Sequence, residues 1–168
     1  AEHPRFHISL HGSFILGVGD SEYEVPEMSI VLVQSHVAHW VADQKGRVLV
    51  PSEEAGKACL GNKPYFQSGE ITNQLMCGTV GSYSALSHPL LSALPEVLRL
   101  PRISEDASLW KIIETEEAEI QGGGKRESRI VDRLTEIIYS KIILDYFTET
   151  QTPLGFLAAV KDDRISLV

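Results

Sequence analysis

The apolar and polar residues follow one pattern in the first half of the chain and another in the second. Up to about Gly81 the apolar residues form short runs, and from Phe6 to Leu10 they alternate with polar positions. Alternation of this kind is typical of a strand with one buried face, and turns containing Gly or Asp separate the runs. Short strands at this close spacing predict a β-sandwich or barrel. The predicted strands are 6–10, 13–18, 29–33, 36–41, 47–50 and 71–80, with a turn over 19–21 and a polar loop over 51–69.

After Ser104 the apolar residues recur at three- and four-residue intervals, which predicts helices. The first helix has Ser104 as its N-cap and acidic residues in its first turn, and it ends at the glycines of 122–124. One face of this helix carries Leu109, Ile112, Ile113 and Ile120. A second, longer helix is predicted from Glu127 to Phe147, and a short third one opens at Thr152-Pro153. The predicted fold is therefore mainly β with α, a barrel followed by a helical hairpin.

An apolar segment with two prolines joins the two halves and reads HPLLSALPEVLRL, from His88 to Leu100. Pro89 and Pro95 lack backbone N–H groups and restrict the residue before them. We expect this segment to leave the barrel and pack along it, or to form a short helix capped by Ser87. The chain is interpreted as one domain with a β-barrel over 1–81, a connector over 82–103 and a helical appendage over 104–168.

Composition and charge exclude several classes of protein. The length of 168 residues fits one domain with a sizeable core. The net charge of −8 argues against holding a nucleic-acid backbone unaided, because such binding depends on clustered Lys and Arg. Two cysteines are too few for a disulfide scaffold, and no apolar run reaches the length of a membrane span. These features predict a cytoplasmic protein that makes no contact with a membrane.

Four segments occur in the order seen in one family of proteins. They read PRFHISLHGSFILGV, HVAHWVAD, QLMCGTVGSYSALSHPLLSALPEVLRL and GFLAAVKDDRIS. Together they resemble the cupin-type N-terminal domain of AraC-family transcriptional regulators, most specifically at Cys77-Gly78 and in the connector. The resemblance implies a cupin-like double-stranded β-helix barrel followed by a C-terminal helical hairpin.

The same resemblance implies a sensor rather than an enzyme. Domains of that family bind a small-molecule effector or respond to a chemical signal in the barrel, and they often dimerise. We therefore expect no catalytic residues, no cofactor, an unidentified small-molecule effector and a homodimer formed through helices 104–147. Contact with DNA is expected only through a helix-turn-helix domain that this chain does not contain. A bare oligomerisation module without a ligand is a third interpretation.

Five residues on two predicted strands are candidates for the effector site. A cupin barrel encloses a cavity, and ligand cavities are mostly apolar with a few placed polar groups. Since neighbours along a strand point in opposite directions, only some of the five can face inward. The candidates are Phe6, His7, Ile8, His39 and Trp40.

The two cysteines form a possible redox pair. Cys59 lies in the predicted polar loop beside Lys57, a setting that lowers a thiol pKa. Cys77 lies in a predicted strand, where a cysteine is typically a small buried apolar residue. A disulfide between them requires a short separation that the sequence does not give.

Three histidines support the runner-up function, a small metal-dependent cupin enzyme such as a dioxygenase or isomerase. His7 and His11 share strand parity, and with His39 they could form a three-histidine metal site. Cupin enzymes usually hold their metal with a His-x-His pair and a glutamate, whereas this chain reads FHISLH. The favoured expectation is therefore that no metal binds.

A cluster of glutamates in the first predicted helix is interpreted as a solvated face. The segment reads IETEEAEI and contains no partner constellation for acid–base chemistry. The residues concerned are Glu114, Glu116, Glu117 and Glu119.

Overall fold

The described part of the chain is mainly β with α, as the sequence predicts. In the computed structural model it comprises residues 3–60, 70–79, 94–100, 107–122 and 129–149. The strands are β1 (Arg5–His11), β2 (Phe14–Val18), β3 (Ser21–Val25), β4 (Ile30–Val33), β5 (His39–Ala42), β6 (Gln74–Thr79) and β7 (Val97–Leu100). The helices are α1 (Ser52–Leu60), α2 (Ala107–Gln121) and α3 (Arg129–Glu149).

These strands form two antiparallel sheets. Within the described residues, the first sheet has the order β6-β1-β4-β7, so β1 and β4 are central and β6 lies at an edge. The second sheet has the order β3-β2-β5. Among the strands that the structure describes, the two sheets are not closed into one barrel. The double-stranded β-helix barrel therefore stays a prediction.

The four-stranded sheet is covered on both faces. On one face, Phe6 of β1 packs in an apolar cluster with Ile113 of α2 and Ile138 of α3. On the other face, Val31 of β4 packs in a second cluster with Phe14 of β2, which belongs to the other sheet. A polar side chain in the middle of the central strand β1, such as that of His7, therefore loses its contact with water, and it needs a hydrogen-bond partner inside the protein.

Helices α2 and α3 pack against each other and against the sheet. Glu116 of α2 was predicted to lie on a solvated face, and this is wrong, because its side chain is only 3% exposed. One carboxylate oxygen of Glu116 accepts a hydrogen bond from the Thr135 hydroxyl of α3 at 2.9 Å, and the other is buried with no hydrogen-bond partner. Burial raises the pKa of this carboxyl group. Glu114 is exposed, as predicted.

The structure differs from the predicted elements at several places. The loop predicted over 51–69 begins with helix α1, which has Glu53 and Glu54 in its first turn and Lys57 in its last, as the helix dipole favours. Residues 47–50 form no strand, and β6 begins at Gln74 rather than at 71.

The connector contributes a strand to the first sheet. Its last residues form β7, which pairs with β4, so this end of the connector is part of the sheet. The first part of the connector, including Pro89, and the predicted helix at Thr152-Pro153 lie outside the described residues. Within the described ranges, no helix is both long and apolar enough to cross a membrane.

Candidate functional site

The candidate site is built around His7, which lies between the two sheets. Residues at odd positions of β1 face the second sheet, and the His7 side chain there is 7% exposed. Its ring packs edge-on against Phe14 of β2, with 6.4 Å between the ring centroids. A polar ring in this position is tolerated because both of its nitrogens are hydrogen-bonded.

Three side chains and one carbonyl group form a continuous hydrogen-bonded chain through His7. Its Nδ1 lies 2.9 Å from Sγ of Cys77, its cross-strand neighbour on β6. Its Nε2 lies 2.9 Å from Nε2 of His39, on β5 of the other sheet. The Nδ1 of His39 lies 3.1 Å from the carbonyl oxygen of Val37. These hydrogen bonds thus connect β6 of the first sheet with β5 of the second.

The direction of each hydrogen bond follows from the Val37 carbonyl. A carbonyl oxygen only accepts, so Nδ1 of His39 donates, and Nε2 of the neutral His39 ring is an acceptor. Nε2 of His7 therefore donates to His39, which leaves Nδ1 of His7 as the acceptor for the Cys77 thiol. All three side chains are then satisfied in their neutral forms.

The surroundings of His7 keep its ring neutral. Burial lowers the pKa of His7 to about 3, and His39 and Arg5 act in the same direction through their charges. An imidazolium between the sheets would lose its hydration, and no carboxylate of the described residues is paired with it. Near neutral pH, His7 is therefore a neutral residue that donates through one nitrogen and accepts through the other.

Cys77 is exposed although its hydrogen-bond partner is buried. The difference arises because β6 is an edge strand, whereas β1 is central in the same sheet. Its neighbour Gly78 lies against the opposite face, where a Cβ atom would overlap the Phe6 ring. The thiol is thus accessible to solvent and is hydrogen-bonded to the buried ring of His7.

An open pocket lies beside His39. Its volume is about 510 Å³, and His39 and Trp40 contribute to its wall. The Trp40 ring covers Gly17 of the neighbouring strand so closely that a Cβ atom there would overlap the indole. The other lining residues are Gly19, Ala38, Leu49, Val50 and Pro51. The walls are mostly apolar, and the imidazole of His39 is a polar group among them.

A second pocket, which the sequence did not predict, lies between β3 of one sheet and β4 and β7 of the other. Its volume is about 310 Å³, and it is lined by residues of β3, β4 and β7. Arg99 of β7 brings a positive charge to its wall and lies over the Tyr23 ring, 4.9 Å from the centroid. The alternation of VLRL around Arg99 is the signal for a strand here, and it was interpreted as a connector.

The five predicted effector residues do not share one cavity. His7 and His39 are in contact, and His39 and Trp40 line the pocket beside β5. Phe6 and Ile8, by contrast, are fully buried on the other face of β1, against the helices. Their prediction as effector-site walls is not supported by this placement, because residues 6 and 8 have the opposite strand parity to residue 7.

The predicted three-histidine metal site is not assembled. His11 lies at the exposed end of β1, where its Nδ1 is 3.1 Å from an oxygen of Glu27. The pairing of β1 with β6 is irregular between Ser9 and His11, so the parity argument does not hold across this point. Within the ranges that the structure describes, no three His, Cys, Asp or Glu side chains are grouped to hold a metal.

The pairing of Cys59 with Cys77 stays a prediction. Cys59 lies on α1 rather than in a loop, and its side chain is outside the described part of the structure. The sequence did not reveal that Cys77 contacts His7. The contact depends on the register between two strands that are 70 residues apart.

Two facing sheets, with helices on one side and a polar side-chain cluster between them, define a small mainly-β type of domain. A family model described as Cupin matches residues 1–147, and the chain therefore belongs to the cupin family. No curated protein matches the sequence.

Proposed function

We propose that this cupin chain is the effector-sensing and dimerisation domain of an AraC-type transcriptional regulator. The observation that carries the proposal is the position of His39, which faces the pocket and also contacts the buried His7. A small molecule that binds beside His39 and Trp40 changes the hydrogen bonding of His39, which lies on one sheet and contacts His7 on the other. DNA is contacted by a separate helix-turn-helix domain, and the regulator acts in the cytoplasm.

Transmission of the signal requires that the effector bind one arrangement of the domain better than another. A hydrogen-bond donor on the effector competes for Nε2 of His39, which accepts from His7 in the present arrangement. Release of His7 leaves a buried donor without a partner, so the two sheets must readjust. The pocket and the space between the sheets are thereby coupled through one hydrogen bond.

Helix α3 provides a surface for a second copy of the chain. Ile130, Ile137 and Leu144 are 54%, 45% and 64% exposed. They are spaced seven residues apart, so they form one stripe along the helix, which is the repeat that paired helices use. An apolar stripe of this kind is stabilised by burial against the same stripe of a partner.

We predict that Ile137→Lys abolishes dimerisation. The lysine would place a charge in the centre of the apolar stripe, where it cannot be hydrated in the dimer. The whole chain is fused to a DNA-binding domain that represses a reporter only as a dimer. Wild type is expected to repress, and Ile137→Lys is expected to lose repression by at least about tenfold, since 1.4 kcal/mol already changes an equilibrium by that factor.

The matched control is Asp132→Lys, which introduces the same side chain on an exposed position of the same helix outside the stripe. It is expected to repress like wild type, with all fusions compared at equal protein levels. A wild-type fusion that does not repress, or an Ile137→Lys fusion that represses fully, would contradict the proposed dimer.

A further inference from the structure

We propose that Cys77 is a nucleophilic thiol that forms covalent adducts with α,β-unsaturated carbonyl compounds, with His7 and His39 carrying its proton. The site is independent of the proposed regulatory function. It follows from the hydrogen-bonded chain of Cys77, His7 and His39, and it would exist equally in an enzyme or a sensor.

The three side chains reproduce the arrangement of an activated nucleophile. Such a nucleophile lies within hydrogen-bond reach of a base, and a third group orients the base. Here the thiol lies 2.9 Å from Nδ1 of His7, and His39 accepts from the opposite nitrogen of His7 at 2.9 Å. The Val37 carbonyl fixes His39 in turn. The thiol is exposed, so an electrophile can reach it.

The burial of His7 decides where the thiol proton goes. An imidazolium at His7 is disfavoured by desolvation and by the neighbouring His39 and Arg5. The proton of Cys77 therefore moves to Nδ1 of His7 while the proton on Nε2 of His7 moves to Nε2 of His39. His7 stays neutral, a thiolate forms at Cys77, and the positive charge is placed on His39, which is only partly buried and borders the pocket.

The chemistry of the adduct selects the class of electrophile. The thiolate sulfur bonds to the β-carbon of the conjugated carbonyl compound, and the carbon–carbon π pair becomes an enolate. Nδ1–H of His7 then protonates the enolate while Nε2 of His7 recovers its proton from His39. The thiol hydrogen ends on the α-carbon, and all three side chains regain their starting protonation. The two histidines are suited to this addition because the enolate must be protonated on its α-carbon, and they return the proton that they took from the thiol. The product of a displacement reaction needs no such proton.

The test measures the rate at which methyl vinyl ketone alkylates Cys77. Cys59→Ser leaves Cys77 as the single cysteine of the chain, and intact-protein mass spectrometry follows the adduct. At pH 7 we expect Cys77 to react faster than N-acetylcysteine. His39→Gln in the same background is expected to slow the reaction by at least about tenfold, because an unassisted thiol with a pKa of about 8.5 is only about 3% thiolate at pH 7. Glutamine can hydrogen-bond to His7 but cannot accept the proton.

The pH profile separates proton transfer from a structural role. Above the ordinary thiol pKa of about 8.5 the thiolate forms without a base, so the rates of the two proteins should converge. A structural defect would lower the rate at every pH. His11→Gln, which replaces an exposed histidine of β1 outside the hydrogen-bonded chain, is the matched control and should leave the rate unchanged.

Two results would overturn the proposal. One is a Cys77 rate at pH 7 no higher than that of N-acetylcysteine, a comparison that needs no histidine variant. The other is a folded His39→Gln protein, judged by its thermal transition, that reacts as fast as its parent.

Discussion

Replacing Phe6 with alanine is expected to lower the free energy of unfolding by about 3–5 kcal/mol, the usual cost of truncating a buried aromatic residue. The Phe6 ring is fully buried where β1 meets α2 and α3. Its removal leaves a cavity, because Gly78, over which the ring lies, has no side chain that could fill the space. Denaturant unfolding followed by circular dichroism measures the change.

The control for Phe6 is Val48→Ala. Val48 is 92% exposed, and its truncation should change the free energy of unfolding by less than about 0.5 kcal/mol. A cost below about 1 kcal/mol for Phe6→Ala would contradict the packing of β1 against the helices. It would also restore Phe6 as a candidate for the wall of a ligand cavity.

The stability of the protein is expected to fall steeply below pH 6.5 because of His7. The folded-state pKa of His7 is lowered from 6.5 to about 3, so between these values the unfolded chain binds the additional proton. The contribution of neutral His7 to the free energy of unfolding is therefore fully present above pH 6.5, and it is lost as the pH falls towards 3. One such site contributes up to about 1.4 kcal/mol per pH unit, or about 2 kcal/mol between pH 6.5 and pH 5.

The contribution of His7 is isolated by comparing variants at pH 7 and pH 5. His7→Gln carries no titrating group, so its loss of stability over this range should be smaller than that of wild type by about 2 kcal/mol. His36→Gln removes an exposed histidine near Glu96 and should retain the wild-type loss. Equal losses in wild type and His7→Gln would show that His7 is not buried in its neutral form.

Local patterns predicted those elements whose period is clear over several residues. The alternation from Phe6 to Leu10 corresponds to β1, and the helical spacing after Ser104 corresponds to α2 and α3. Helix α1 was interpreted as a loop because its nine residues include Gly56 and few apolar positions, although its charges follow the helix dipole. Short elements with weak periodicity are decided by their tertiary surroundings.

The candidate site was predicted only in part because it depends on pairing between distant strands. His7 and His39 could be proposed from their residue type, but their contact joins two different sheets. The irregular pairing near Leu10 also separates His11 from His7 and His39, with which it was predicted to form a metal site. No local sequence pattern indicates this irregularity. Glu116 shows the same limit, since it follows Leu109 and Ile113 at helical spacing but its charge suggested an exposed position.

Native mass spectrometry of the chain, purified without a histidine tag, tests the central proposal most directly. It determines the mass of the assembly and of any bound metal or small molecule in one experiment. A sensor domain of the proposed kind is expected as a metal-free dimer that carries a small organic molecule. A monomer that holds one equivalent of metal would contradict the proposal and would favour a metal-dependent cupin enzyme.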